Sequence, residues 1–310
     1  MIKIGCDLTR DLTIYKNPKD YFNELKNKFE VVMMDPHNLP TDDELKDIEI
    51  YFGDRITPSI VDKLPKLKWI HLTSVGYDKL IGLDREDLII TNSKNVMDNG
   101  VISTILGFMF SLSRGLHYCL KSKTINRYKF EKYFNKIQDV IGQSILIVGM
   151  GNIGDKLSKI CKSLGMTVRG INRQVKNVYT LKELPNIVSE FDYVVNLLPY
   201  SKETDKIFNK SIFNRMKDTA FFINVGRGKS VVESDLIEAL SNSEIGGAGL
   251  DVFEKEPLSE DSKLWDLDNV IITPHIAGYS NEYWKNQKKL FSENLNRYLN
   301  NNTMLNEIKI

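Results

Sequence analysis

The stretch Ile145–Gly154, ILIVGMGNIG, constrains the fold of this chain more than any other. An apolar run ends in Gly149, Gly151 and Gly154, which predicts a strand, a tight turn and the first turn of a helix. The helix continues through Asp155–Cys161, and Thr167–Ile171, after Gly165, supplies a second strand. Such a turn lets backbone N–H groups come close to a diphosphate. Gly149, Met150, Gly151, Asn152, Ile153 and Gly154 are therefore candidate dinucleotide contacts. Taken alone, the same residues also suit an ordinary βαβ unit with a glycine turn.

The rest of the chain carries the same alternation of strand and helix. Ahead of the turn, strands are expected at Ile2–Cys6, Phe29–Met34, Ile48–Phe52, Trp69–Leu72 and Ile89–Thr91. Helical segments at Asp20–Lys28 (apolar face Tyr21, Phe22, Leu25, Phe29), Asp43–Leu45 and Pro58–Lys63 separate them. Behind it, strands are expected at Asp192–Leu198, Thr219–Val225, Gly247–Val252 and Val270–Thr273, with a helix at Ser234–Leu240. Gly100–Leu120 reads as one apolar helix that Asp98 or Asn99 can cap and that passes between domains. Lys121–Gln138 reads as a polar and aromatic excursion, and Asn281–Leu299 as a long helix returning to the first domain. The expected architecture is α/β, with two Rossmann-like domains whose parallel sheets are flanked by helices. Residues 1–95 plus 282–310 form a discontinuous, flavodoxin-like substrate domain, and residues 96–281 form the dinucleotide-binding Rossmann domain.

At 310 residues, 42% hydrophobic and 27% charged, the chain can bury two cores. A net charge of +1 points to neither nucleic acid nor an acidic partner. Cys6, Cys119 and Cys161 form neither a metal-ligand pair nor a disulfide framework. Cys6 and Cys161 are expected to be packed rather than nucleophilic, and a reducing compartment fits them. The N-terminus lacks a secretory pattern, and the apolar stretch Ile102–Leu112 is too short to span a bilayer, so a cytoplasmic protein is expected.

Strands that each run into a polar or glycine-bearing loop bring several reactive residues to one sheet edge. Of the four histidines (His37, His71, His117, His275), His275 in TPHIAG follows a strand and is flanked by small residues. Imidazole there suits proton transfer to an oxygen as hydride reaches its carbon. Glu256 in DVFEKEP can orient that ring and raise its pKa. Arg227 in NVGRG can hold a carboxylate and polarise the neighbouring carbonyl. Each alone has a plainer use: a hydrogen-bonded structural histidine, a solvated acid, a surface arginine. The loop Thr73–Leu80, TSVGYDKL, lies at the carboxyl end of a strand, where Gly76 permits close backbone approach or a plain turn. Tyr51, Tyr77, Tyr279 and Trp284 are candidates either to shape a substrate pocket or to pack a core.

VGMGNIG, NLLPYSKET, FINVGRG, GAGLDVFEKEP and TPHIAG follow one another in the order found in the D-isomer-specific 2-hydroxyacid dehydrogenase family, which this sequence resembles densely over Gly142–Gly278. The resemblance is nearest to NADP-preferring glyoxylate/hydroxypyruvate reductases. It implies a catalytic set of Arg227, Glu256 and His275, and a nicotinamide-amide carboxylate at Asp251. Further cofactor contacts fall on Leu198, Pro199, Thr204, Val225 and Gly278. A substrate-carboxylate loop falls on Ser74, Val75 and Gly76, whose amides assist Arg227, and no metal is implied. Members are typically homodimers through the cofactor domain.

Two departures matter. Thr104 stands where many members carry glutamate, which weakens assignment to phosphoglycerate or D-lactate enzymes. After the second cofactor strand, Asn172 replaces the ribose-binding aspartate of NAD-preferring relatives, and Arg173 follows it. Losing that carboxylate removes repulsion of a 2′-phosphate, which Arg173, helped by Arg169 or Lys176, can bind. The expectation is NADP(H) preference with NAD(H) possible, and reduction of small 2-oxo acids such as glyoxylate or hydroxypyruvate. The alternative in which Asn172 bonds ribose and Arg173 is solvated predicts NAD(H). Two other readings are an NAD-dependent phosphoglycerate, formate or phosphite dehydrogenase and a cofactor-sensing, corepressor-like protein. The chain end at Ile310 leaves no room for the regulatory domain common in phosphoglycerate enzymes, and the three catalytic candidates argue against a non-catalytic protein.

Overall fold

The structure, a computed structural model, describes residues 1–7, 19–34, 40–121, 131–172 and 179–309, without the side chains of 19–22, 121 and 132. His37, Arg173, Lys176, the side chains of Tyr21 and Phe22, and residues 122–130 of the polar excursion lie outside that description. The chain divides into two compact units, Met1–Met97 with Ser280–Ile310, and Asp98–Tyr279.

In the first unit β1 (Lys3–Cys6), β2 (Glu30–Met33), β3 (Ile48–Phe52), β4 (Trp69–His71) and β5 (Ile89–Thr91) form a parallel sheet in the order β2-β1-β3-β4-β5. Both faces are covered, which is why these strands read as apolar runs. Ile4, Cys6, Ile50, Phe52 and Trp69 pack with Phe291 and Leu295 of the Tyr283–Leu299 helix. Ile48, Tyr51, Ile70, Leu72 and Ile90 pack on the other side with Leu45, Val61 and Leu64. Phe291 is fully buried, its ring 4.1 Å from that of Phe52 and 5.2 Å from that of Trp69. The C-terminal tail adds a short antiparallel edge to β5, with Glu307 bridging Thr91 and the Ile308 N–H donating to the Ile90 carbonyl.

In the second unit β6 (Ser144–Val148), β7 (Thr167–Ile171), β8 (Tyr193–Asn196), β9 (Phe221–Asn224), β10 (Gly247–Leu250) and β11 (Val270–Ile272) form a parallel sheet in the order β11-β10-β9-β8-β6-β7. The chain leaves β6 toward one edge and returns on its other side, so the turn after β6 sits at the switch point where α/β sheets bind ligands. The Asp98–Ser113 helix lies directly on β10: a Cβ at Gly249 would fall 2.5 Å from Cγ of Phe108.

The expected single helix over Gly100–Leu120 is two helices, Asp98–Ser113 and Leu116–Lys121. Gly115 turns left-handed (φ 64°) between them, as glycine does past a helix end. The apolar pattern runs on through this break and so hides it. Strands expected to reach Leu198, Val225 and Val252 end at Asn196, Asn224 and Leu250. At the first two, a buried asparagine side chain takes over the backbone N–H groups that a ladder would use, those of Leu198 and Gly226. Among the described residues no helix is long and apolar enough to cross a membrane.

Phe291→Ala should destabilise the first unit by about 3–5 kcal/mol, because it empties a fully buried aromatic site. Urea unfolding followed by circular dichroism measures this, and a loss under about 1 kcal/mol would contradict the packing described.

Candidate active site

The three glycines of the β6 turn have three different surroundings. Gly149 is left-handed (φ 111°), and a Cβ there would stand 2.9 Å from the Leu197 carbonyl carbon. Gly151, the residue before the Asn152–Ser163 helix, would meet nothing within 4 Å. Gly154 would place a Cβ 2.8 Å from the Gly149 carbonyl oxygen. One glycine makes the turn, one leaves open space over the helix N-terminus, and one lets the helix close on the strand. Among the described residues the Ile153 and Gly154 N–H groups have no partner. A diphosphate fits that combination of open space and unpaired first-turn donors.

Neighbouring groups fix this turn. Asn172, at the end of β7, donates its side-chain amide to the Met150 carbonyl. Asp98 is 3% exposed; its carboxylate accepts from the Asn152 amide and from Lys156 Nζ at 2.7 Å. This buried acid beside the glycine turn had no sequence signal beyond its place at a helix start. Asn196, Asn224 and Ser230 were missed too. The Asn196 amide donates to Asn224 Oδ1 (2.9 Å) and Ser230 Oγ (2.7 Å), knitting together the loops after β8 and β9. Their available signal was a polar residue closing an apolar run, as in DYVVN and FFIN.

The other dinucleotide candidates of this unit follow their strands at the same sheet edge. The Leu198 N–H is bonded to Asn196, and Pro199 is exposed, with its carbonyl accepting from buried Thr204 Oγ1 at 2.8 Å. Val225 N–H donates to the Asn196 carbonyl. Gly278 is half-buried, and its carbonyl oxygen lies where a Cβ on Gly100 would come within 2.7 Å. Thr104 Oγ1 donates to the Ala277 carbonyl at 3.2 Å, so the residue that departs from the family pattern helps hold this loop.

Arg227, Glu256 and His275 come together after β9, β10 and β11. Gly228 makes the approach possible, since a Cβ there would overlap the Phe253 carbonyl. The Arg227 guanidinium donates to the Gly226 carbonyl at 2.8 Å, and its charge lowers the pKa of both Glu256 and His275. His275 Nδ1 lies 2.6 Å from Glu256 Oε2, while Glu256 Oε1 accepts the Phe253 N–H at 3.1 Å. The hydrogen bond to Glu256 raises the His275 pKa against the opposing effect of burial. For Glu256 burial pulls upward, but its bond with His275, that ring's charge and the Phe253 N–H outweigh it and hold the carboxyl below its ordinary value. The result is a half-exposed imidazole whose charged form Glu256 favours, with Nε2 as the ring nitrogen not engaged by Glu256.

His275 adopts a left-handed backbone (φ 56°), which costs a non-glycine residue about 1–3 kcal/mol. Asp251, 1% exposed, holds it there. Oδ1 accepts from Thr273 Oγ1 (2.6 Å) and the Ile276 N–H (2.8 Å), Oδ2 accepts from the Ala277 N–H (3.0 Å), and the Asp251 carbonyl accepts the His275 N–H (2.9 Å). Hydrogen bonds to a charged acceptor contribute about 1.5–3 kcal/mol each, enough together to offset the strain.

The remaining described histidines are placed for structure. Burial pushes His71 down to about 3, so it stays neutral, with Nδ1 2.7 Å from Thr91 Oγ1. His117 is buried, with Nδ1 bonded to the Ser111 carbonyl. Burial pushes the Cys161 thiol up to about 11, and Cys6 is buried too, which suits packing rather than attack. Tyr51 is a core residue whose hydroxyl donates to buried Asp7, not a pocket wall. Trp284 packs edge-on against Tyr283, whereas Tyr77 and Tyr279 are exposed.

In the first unit, the Ser74–Gly76 loop follows β4. Asp54 fixes its entry, accepting from Thr73 Oγ1 (2.6 Å) and the Ser74 N–H (3.0 Å). The Ser74 amide is therefore engaged. Among the described residues those of Val75 and Gly76 have no partner and are available to an anion.

Comparison with known proteins shows the family of this chain. Residues 106–277, more than half the chain, match the family described as D-isomer specific 2-hydroxyacid dehydrogenase, NAD binding domain. The chain belongs to the D-isomer-specific 2-hydroxyacid dehydrogenase family. It is 37% identical to a Dictyostelium discoideum protein named "Probable 2-ketogluconate reductase", over 72% of this chain and 70% of that one. It is 33% identical to glyoxylate/hydroxypyruvate reductase B of Klebsiella pneumoniae subsp. pneumoniae, over 82% of each. The fold matches the crystal structure of a Thermus thermophilus protein with a TM-score of 0.82 at 25% identity, over 99% of this chain and 100% of that one.

Glu256→Gln removes the main cause of the raised His275 pKa. If the His275 ring gives the proton in reduction, the rate falls as pH rises through that pKa. The fall should therefore move to lower pH in the variant. A pH profile of kcat/KM for 2-oxo-acid reduction measures the shift, and coincident profiles would remove Glu256 from this role.

Proposed function

We propose that this protein is an NADP(H)-preferring D-2-hydroxyacid dehydrogenase that reduces small 2-oxo acids such as glyoxylate or hydroxypyruvate. The observation that carries the reading is the Arg227–Glu256–His275 grouping on the sheet edge that also bears the open glycine turn. Ile153 and Gly154 N–H groups bind the diphosphate, helped by the positive end of the Asn152–Ser163 helix. Leu198, Pro199, Thr204, Val225 and Gly278 line the dinucleotide's path along that edge, and Asp251 takes the nicotinamide amide while holding the His275 loop. The bound cofactor supplies hydride to the carbonyl carbon. Arg227 binds the substrate carboxylate and polarises the adjacent carbonyl, and the family resemblance assigns the Val75 and Gly76 amides to carboxylate binding. His275 Nε2 gives its proton to the carbonyl oxygen, and Glu256 stabilises the charged ring beforehand and orients it through Nδ1. In the oxidative direction the neutral ring takes that proton back.

The choice of NADP(H) rests on Asn172. Its amide donates to the Met150 carbonyl, a bond an aspartate there could not make. The β7 end thus lacks the carboxylate that would repel a 2′-phosphate, and Arg173 is the proposed phosphate ligand. Exposed Leu116, Leu120 and Ile141 support a homodimer through the Asp98–Tyr279 unit. Cys6 and Cys161 are buried and in no disulfide among the described residues, which suits the reducing cytoplasm.

A panel of 2-oxo acids assayed with NADPH and NADH tests class, substrate and cofactor together. Glyoxylate or hydroxypyruvate with NADPH should be fastest, and cofactor binding without turnover of any 2-oxo acid would favour the sensing alternative. His275→Ala should lower kcat by roughly 10²–10⁴ with near-normal NADPH binding, and retained turnover would exclude it as the proton donor. Asn172→Asp should weaken NADPH binding about tenfold or more relative to NADH, and an unchanged ratio would remove Asn172 from cofactor choice.

A further inference from the structure

The two free amides of the Val75–Gly76 loop owe their direction to the far end of the chain. A peptide group is planar and trans, so its carbonyl and its N–H point in opposite directions. The Ser74 carbonyl accepts the Ser93 N–H at 2.9 Å, and this turns the Val75 N–H away from the 92–94 segment. The Val75 carbonyl accepts the Asn92 side-chain amide at 2.8 Å, and this turns the Gly76 N–H away likewise. Both donors are thereby aimed to the same side, facing away from the residues that hold them.

Asn92 is itself held. It is 5% exposed, and its Oδ1 accepts the Lys94 N–H at 3.2 Å. Its backbone is gripped by Asn306: the Asn92 N–H donates to the Asn306 carbonyl (3.2 Å), and the Asn306 side-chain amide donates to the carbonyls of Asn92 (3.2 Å) and Lys94 (2.9 Å). Asn306 sits in the left-handed region (φ 59°), where asparagine is among the few non-glycine residues tolerated. Its neighbours keep it there. Buried Asn294 exchanges two hydrogen bonds with Leu305, and Glu307 bridges Thr91.

We propose that Asn306 and Asn92 form a positioning clamp for the substrate-carboxylate loop, through which the C-terminal tail sets the apparent affinity for 2-oxo acids. This rests on the reading that the Val75 and Gly76 amides bind the substrate carboxylate. Neither asparagine touches substrate; both act through the orientation of two peptide planes.

The test compares wild type, N306G, N92A and the double variant in the full chain. KM and kcat are measured with glyoxylate and hydroxypyruvate, NADPH affinity by fluorescence titration, and Tm by calorimetry. N306G keeps the left-handed backbone and the Asn306 carbonyl and removes only the side-chain amide. It should raise KM roughly three- to tenfold, the scale of one or two hydrogen bonds, with kcat and NADPH affinity nearly unchanged. N92A should raise KM at least as much, and the double variant no further than N92A, since both act on one loop. If N92A does not fold, N306G alone decides. A lowered Tm with unmoved KM in N306G would show a tail that only docks, and multiplying effects in the double variant would show independent residues; either overturns the clamp. A wild-type protein that turns over no 2-oxo acid overturns the functional reading and the clamp with it, whereas an active wild type with unmoved N306G overturns the clamp alone.

Discussion

The site depends on one buried carboxylate. Asp251 gathers Thr273, Ile276 and Ala277 around its side chain and His275 around its carbonyl. It thereby holds a histidine in a backbone conformation that histidine rarely adopts. An amide could not do this, because its NH₂ would face backbone N–H groups; three donors require an acceptor-only side chain. With the loop so fixed, the His275 ring meets Glu256 through Nδ1 and leaves Nε2 outside that bond.

The same edge is assembled by the absence of side chains as much as by their presence. Gly226 and Gly228 let the loop after β9 press against those after β8 and β10, and Gly149 lets the cofactor turn press against the loop after β8. Each close approach replaces a Cβ with a neighbour's backbone. Asn196 and Asn224 then satisfy the backbone groups left over where the ladder stops. Loops packed in this way hold the proposed proton donor, anion binder and cofactor turn in fixed relation, which hydride transfer requires.

Much of this was legible in the sequence. Strand and helix alternation marked two parallel sheets because strands buried on both faces read as apolar runs. Arg227, Glu256 and His275 stood out because each follows a strand in a polar or glycine-bearing loop. What escaped reading was the set of contacts between distant residues. Nothing in DNGVIS shows that Asp98 will pair with Asn152 and Lys156, nor does NNTMLNE announce that Asn306 will grip Asn92. The helix break at Gly115 was hidden because the apolar period continues across it. Tyr51 read as a pocket candidate because pattern alone cannot tell a tyrosine with a buried partner from one facing a ligand.

The role proposed for His275, its ring held by Glu256, is that of proton donor in 2-oxo-acid reduction. Its most direct test is the titration of the His275 ring by nitrogen NMR, set beside the pH dependence of kcat/KM for that reduction. The ring should titrate above the ordinary histidine value, and activity should fall over the same pH range as the ring loses its proton. A ring that titrates while the rate stays level, or one that is neutral throughout, would contradict it.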